Sequence, residues 1–76
     1  MKVTVKLFAM LSKFTKNNAV IELEVDDSTT IKDILIKIGI PEDEVFNCTI
    51  NGKNSELNET IKNGDTVGFY PYLGGG

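Results

Sequence analysis

The stretch from Thr30 to Pro41 constrains the fold of this chain more than any other. Ile31, Ile34, Leu35 and Ile38 fall at i, i+3, i+4 and i+7, a single apolar stripe along one face of a helix. Thr30 is a good N-cap, and Asp33 three residues later makes a shortened capping box. Gly39 supplies a left-handed stop, with Pro41 just beyond it. A helix of about nine residues does not persist alone in water. Its stripe must lie across a sheet, so the rest of the chain has to supply strands. Ile36 falls off the stripe and is either a margin residue or a small exposed patch.

The strands are legible from alternation. Lys2 to Phe8 places Val3, Val5 and Leu7 on one face and Lys2, Thr4, Lys6 and Phe8 on the other. Ala9 to Lys16 carries Met10, Leu11 and Phe14 at spacings of three and four, which predicts a short helix or helical turn closed by Asn17-Asn18. Ala19 to Val25 is a second strand with Ile21, Leu23 and Val25 inward, ended by Asp26-Asp27-Ser28. Pro41 to Glu44 reads as a solvated acidic turn. Val45 to Ile50 leads into Asn51-Gly52, a strong hairpin signal, so a short strand around Lys53 should pair back. Leu57 and Ile61 are buried anchors in an otherwise polar connection. Asn63-Gly64-Asp65 then turns the chain into a last strand whose core residues are Val67 and Phe69.

This order is too short for two crossovers with helices on both faces, so the sheet is mixed and one main helix packs across one side. The fold class is α+β. Strand, strand, helix, strand, strand, with the first and last strands adjacent and parallel, is the β-grasp arrangement. The predicted core is Val3, Val5, Leu7, Leu11, Ile21, Leu23, Val25, Ile31, Ile34, Leu35, Ile38, Val45, Ile50, Leu57, Ile61, Val67 and Phe69.

Composition bears on function mainly by exclusion. The chain has 76 residues, no histidine, one cysteine and a net charge of −3, and all eight basic residues are Lys. Without histidine there is no Ser-His-Asp or Cys-His arrangement, and nothing cationic flanks Cys48 to activate it. Cys48 reads as a small, half-buried core thiol. The acidic balance lacks a nucleic-acid footprint. No apolar run approaches the roughly 20 residues of a membrane span, and no signal-peptide layout opens the chain, so a cytoplasmic protein is the expectation. A chain so short of catalytic groups is not expected to be an enzyme on its own. No bound cofactor and no metal site are expected.

The chemistry is therefore sought at the C-terminus, where a core strand runs into Pro71-Tyr72-Leu73-Gly74-Gly75-Gly76. Pro71 removes a backbone donor and takes the segment out of the sheet. The domain is expected to occupy residues 1–73, followed by a flexible glycine tail at 74–76. From Pro71 to Gly76 the chain extends roughly 20 Å at about 3.3 Å per residue, far enough to place its carboxylate inside another protein's active site. Tyr70, Pro71, Tyr72 and Leu73, with Phe8 on the outward face of the first strand, form a candidate partner-binding patch. Alternatively, Phe8 and Tyr70 merely cover each other as a cross-strand pair.

Ile21 to Val25, Thr30 to Ile38 and Gly39-Ile40-Pro41 resemble the strand-helix segment of ubiquitin. The end, from Asn63-Gly64-Asp65 to Gly74-Gly75-Gly76, is similar to the MoaD/ThiS-like sulfur-carrier family, whose members close with a turn, a hydrophobic strand, prolines and a terminal Gly-Gly. Lys6-Leu7-Phe8-Ala9-Met10-Leu11 is similar to the small subunit of molybdopterin synthase, where a helix follows the first strand. The extra Gly74 departs from some members. The resemblance implies a ubiquitin-like fold and a carrier that depends on partners. Gly76 would be adenylated by a ubiquitin-activating-like adenylyltransferase that uses ATP, then converted to a thiocarboxylate, with Gly74 and Gly75 threading a narrow channel. The acceptor would be a larger enzyme such as the molybdopterin synthase large subunit. A thiamine-type carrier, a ubiquitin-related modifier joined to lysines through Gly76, and a noncovalent interaction module are the alternatives.

Overall fold

The computed structural model describes residues 1–73. Strands β1 (Lys2–Leu7), β2 (Val20–Glu24), β3 (Asn47–Ile50), β4 (Lys53–Ser55) and β5 (Thr66–Tyr70) form a single mixed sheet in the order β2-β1-β5-β3-β4. β1 and β5 are parallel, and the other three pairings are antiparallel. This is the predicted β-grasp sheet. The ends of the strands move by one or two residues: β1 stops at Leu7, β2 spans Val20–Glu24, and β3 begins at Asn47 rather than Val45.

Helix α1 (Ile31–Ile38) begins and ends where the sequence places it. The Asp33 N–H donates to Thr30 Oγ1 at 3.2 Å and the Thr30 N–H donates to Asp33 Oδ2 at 3.0 Å, so both halves of the capping box form. Gly39 adopts φ +93° and donates to the Leu35 carbonyl at 2.8 Å, followed by Ile40 to the same oxygen at 2.9 Å. The segment between β4 and β5 does more than connect. The Leu57 carbonyl accepts from the Lys32 N–H at 2.9 Å and the Glu59 carbonyl from the Ile31 N–H at 3.1 Å. These are first-turn donors that the helix cannot satisfy itself.

Every residue of the predicted core lies in the buried cluster or packs against it. Val3, Val5, Leu7, Val67 and Phe69 line the inner face of the central strands, and Ile31, Ile34 and Leu35 cover them. Ile21 and Leu23 are only half-buried because β2 is an edge strand, and Val25 is half-buried just past its end. Ile40 is an addition, buried just past the helix stop, and Cys48 is nearly fully enclosed rather than half-buried. The connection from β1 to β2 is a 3-10 helix over Ala9–Thr15 that buries Leu11 and leaves Met10 exposed. Glu42–Glu44, read as a solvated turn, is a short 3-10 helix.

Two Asn-Gly steps set the register of β5. Asn51 and Gly52 take φ +52° and +85°, the I′ geometry that joins β3 to β4. The Asn51 side chain then donates to Asp65 Oδ1 and accepts from the Thr66 N–H, each at 2.9 Å, fastening the hairpin to the start of β5. Asn63 Oδ1 accepts from the Lys2 N–H at 2.9 Å, and the Gly64 N–H donates to the Lys2 carbonyl at 2.8 Å. β5 is thus held on both sides before it runs toward the C-terminus.

Candidate functional site

The site is built where β5 leaves the sheet. On the outer face, away from α1, Tyr70 stacks on Phe8 with ring centroids 4.3 Å apart and an interplanar angle of 12°. β1 ends at Leu7, opposite Phe69, and the Phe8 N–H donates to the Phe69 carbonyl at 3.1 Å, which brings the two rings together. Gly68 makes the arrangement fit. A Cβ there would lie 2.8 Å from Thr49 Oγ1, 3.3 Å from Phe8 Cε2 and 3.4 Å from the Tyr70 hydroxyl. A glycine inside a central strand signals such a close approach, and it is the one cue in the sequence to the floor beneath the stack.

The candidate residues divide into two groups. Phe8 and Tyr70 form the stack, and Phe8 remains 40 % exposed. Pro71 is buried, so it shapes the exit of the chain rather than offering surface. It borders a small cavity with Met10, Leu11, Lys13, Glu44 and Tyr72, where Lys13 and Glu44 form a 3.5 Å ion pair. Tyr72 turns to a different neighbour, Phe46, in an edge-to-face contact with centroids 5.1 Å apart. Leu73 is 78 % exposed. Gly74, Gly75 and Gly76 lie outside the described residues.

Phe46 is a site residue that sequence reading does not single out. Its parity with Cys48 and Ile50 suggests a core face, but β3 begins one residue later and leaves it beyond the end of the sheet. The Phe46 N–H donates to the Tyr70 carbonyl at 2.8 Å, which fixes it beside the exit.

The exit presents aromatic and apolar side chains, with Phe8, Phe46, Tyr72 and Leu73 exposed. Cys48 is buried, and its thiol contacts the Ser55 carbonyl at 3.1 Å. Burial, reinforced by the charges of Glu59 and Glu56, pushes that thiol above its ordinary range, away from a reactive thiolate. Among the described residues no cluster of His, Cys, Asp and Glu is arranged to hold a metal ion. None of their helices is long and apolar enough to cross a membrane.

Residues 1–74 match the Mut7-C ubiquitin family. The chain belongs to that family. No curated protein matches the sequence. Among solved structures, SAMP1 from Haloferax volcanii is 24% identical over 100% of both chains, with a TM-score of 0.80. A putative molybdopterin converting factor subunit 1 from Pyrococcus furiosus is 24% identical, covering 96% of this chain and 99% of its own, with a TM-score of 0.75. The complex of subunits 1 and 2 of the molybdopterin-converting factor from Helicobacter pylori contains a chain 20% identical over 100% of both, with a TM-score of 0.66. At these identities the likeness shows a shared fold. The ubiquitin-like architecture implied by the resemblance is therefore present in this member of the Mut7-C ubiquitin family.

Proposed function

We infer that this protein is a cytoplasmic sulfur carrier that works through its C-terminal carboxylate on Gly76. The observation that carries the reading is the course of the chain after β5. The strand is clamped in the centre of the sheet, Pro71 is buried, and Leu73 emerges exposed beside two aromatic pairs, next to Gly74, Gly75 and Gly76 in sequence. In this reading an ATP-dependent adenylyltransferase activates the carboxylate. A carboxylate oxygen of Gly76 attacks the α-phosphorus of ATP, pyrophosphate leaves, and a mixed anhydride with AMP forms. Sulfide-level sulfur delivered by a donor then attacks the acyl carbon, the bond to AMP breaks, AMP leaves, and the sulfur's proton goes to solvent, which leaves a thiocarboxylate.

Activation is needed because a C-terminal carboxylate, with a pKa of about 3.3–3.7, is ionised at neutral pH and is a poor electrophile. The domain contributes position. Phe8, Tyr70, Tyr72 and Leu73 supply apolar surface for docking, and Gly74 and Gly75 present no side chain to a channel. Acids and bases come from the partner, so the chain is not an enzyme by itself. The first acceptor to test is a molybdopterin synthase large subunit, in keeping with the two-subunit Helicobacter pylori complex. A thiazole-forming acceptor would use the same terminus. The small archaeal modifier protein 1 among the structural neighbours favours a second reading, conjugation of Gly76 to lysines.

Intact mass spectrometry of the protein purified from its native host tests the carrier reading. A species about 16 Da heavier, placed at Gly76 by fragmentation and separated from oxidation of Met or Cys48, supports it. Unmodified Gly76 alongside lysine-linked conjugates overturns it in favour of the modifier.

A further inference from the structure

On the helix side of the exit, an open groove of about 800 Å³ runs between α1, the Glu42–Glu44 turn and the segment after β4. Val45, Cys48 and Leu57 line it alongside the polar side chains of Asn47, Ser55 and Asn58. Phe46 and Tyr72 form its lip, yet they are 66 % and 59 % exposed while touching edge to face. Two large aromatic rings held together in water beside Val45 and Leu57 have the composition of an interface anchor site. The surface is separate from the Phe8–Tyr70 stack, because Tyr70 and Tyr72 turn to different partners on either side of the buried Pro71.

Charge on the rim identifies the occupant. Glu42, Asp43 and Glu56 line the groove against the single ammonium of Lys32, which pairs with Glu42 at 3.8 Å. Among the described residues Asp43 and Glu56 have no ion-pair partner. Such a rim repels nucleic-acid phosphates and attracts cationic side chains.

We propose that this groove is a second docking site, which takes an apolar side chain flanked by Lys or Arg from the protein that receives the C-terminal segment. The proposal deepens the carrier reading: the partner that threads Leu73 onward is also gripped beside Tyr72. Rim charges at the groove tune the rate and selectivity of that encounter, while the aromatic lip supplies the anchor.

The test is NMR titration of the isotope-labelled full chain with a synthetic peptide, acetyl-Arg-Lys-Leu-Trp-Lys-Arg-amide, and with its counterpart carrying Glu at each basic position. The basic peptide should produce saturable shifts at Phe46, Leu57 and Tyr72, and the acidic one should not. Asp43→Lys with Glu56→Lys should weaken the basic peptide about tenfold, at about threefold per rim charge. Phe46→Ser, at an exposed position, should remove binding while the rest of the spectrum stays that of a folded chain. Absence of saturable shifts, equal affinity for both peptides, or shifts centred on Phe8 and Tyr70 would overturn the proposal. The titration needs no adenylation, so failure of the thiocarboxylate reading and failure of this one are read separately.

Discussion

Replacing Gly68 by Ala tests whether the aromatic stack depends on a bare backbone beneath it. The added Cβ would sit 2.8 Å from Thr49 Oγ1, closer than real Cβ atoms come, on a threonine that is itself buried. The neighbours at 3.3 and 3.4 Å, Phe8 Cε2 and the Tyr70 hydroxyl, must also give way. Overpacking of this kind costs about 1–3 kcal/mol. Removing a glycine at an ordinary backbone conformation returns about 0.4–1 kcal/mol by restricting the unfolded chain. The net is a destabilisation of about 1 kcal/mol, or a fall in Tm of about 4–8 °C for a domain of this size. Thermal unfolding followed by circular dichroism measures it, with the near-ultraviolet signal of Tyr70 reporting the stack. Thr49→Ala removes the nearest obstacle, so in that background the cost of Gly68→Ala should fall by more than half, whereas Thr49→Ser keeps the oxygen and the cost. A Gly68→Ala protein as stable as the parent, or an equal cost in all three backgrounds, would refute the reasoning.

Loss of Gly76 should abolish carrier activity while changing stability by no more than about 0.5 kcal/mol, measured by mass spectrometry of the adenylated product and by thermal melting. Asn51→Ala loses two side-chain hydrogen bonds and must hold φ +52° without an asparagine's tolerance, for a cost of about 2–3 kcal/mol; Asn51→Gly keeps the turn and should lose only about 1 kcal/mol by urea denaturation. The raised folded pKa of Cys48 contributes stability that is complete below the unfolded value of about 8.5 and is lost as pH rises through the folded value, so Cys48→Ala should flatten the alkaline limb of a pH–stability profile. Asp26 behaves oppositely. Hydrogen bonds from the Ser28 hydroxyl and N–H and from Thr29 lower its pKa, so its contribution is present above about pH 4 and lost as pH falls through the folded value; Asp26→Asn should remove that part of the acid limb.

Much of this fold was legible because its signals are local. The α1 stripe, the Thr30–Asp33 box, the Gly39 stop and the Asn51-Gly52 turn each depend on residues within a few positions of one another, and backbone sterics and capping decide them before any tertiary contact forms. Alternation along β1 and β5 likewise assigns Val3, Val5, Leu7, Val67 and Phe69 to one face without knowledge of their neighbours. The exit of the chain from the sheet at Pro71 was equally plain, because proline has no backbone donor to continue the ladder. The groove beside it was not. Phe46 and Tyr72 meet because β3 pairs with β5 and both chains overrun the sheet at the same end, a contact between residues far apart in sequence. The same holds for Gly68 under Phe8 and for the burial of Ile40 and Pro71. Local sequence determined which elements this protein has and which face of each is apolar; strand pairing across the sheet decided which side chains share a surface, because only closure of the core brings distant positions within van der Waals reach.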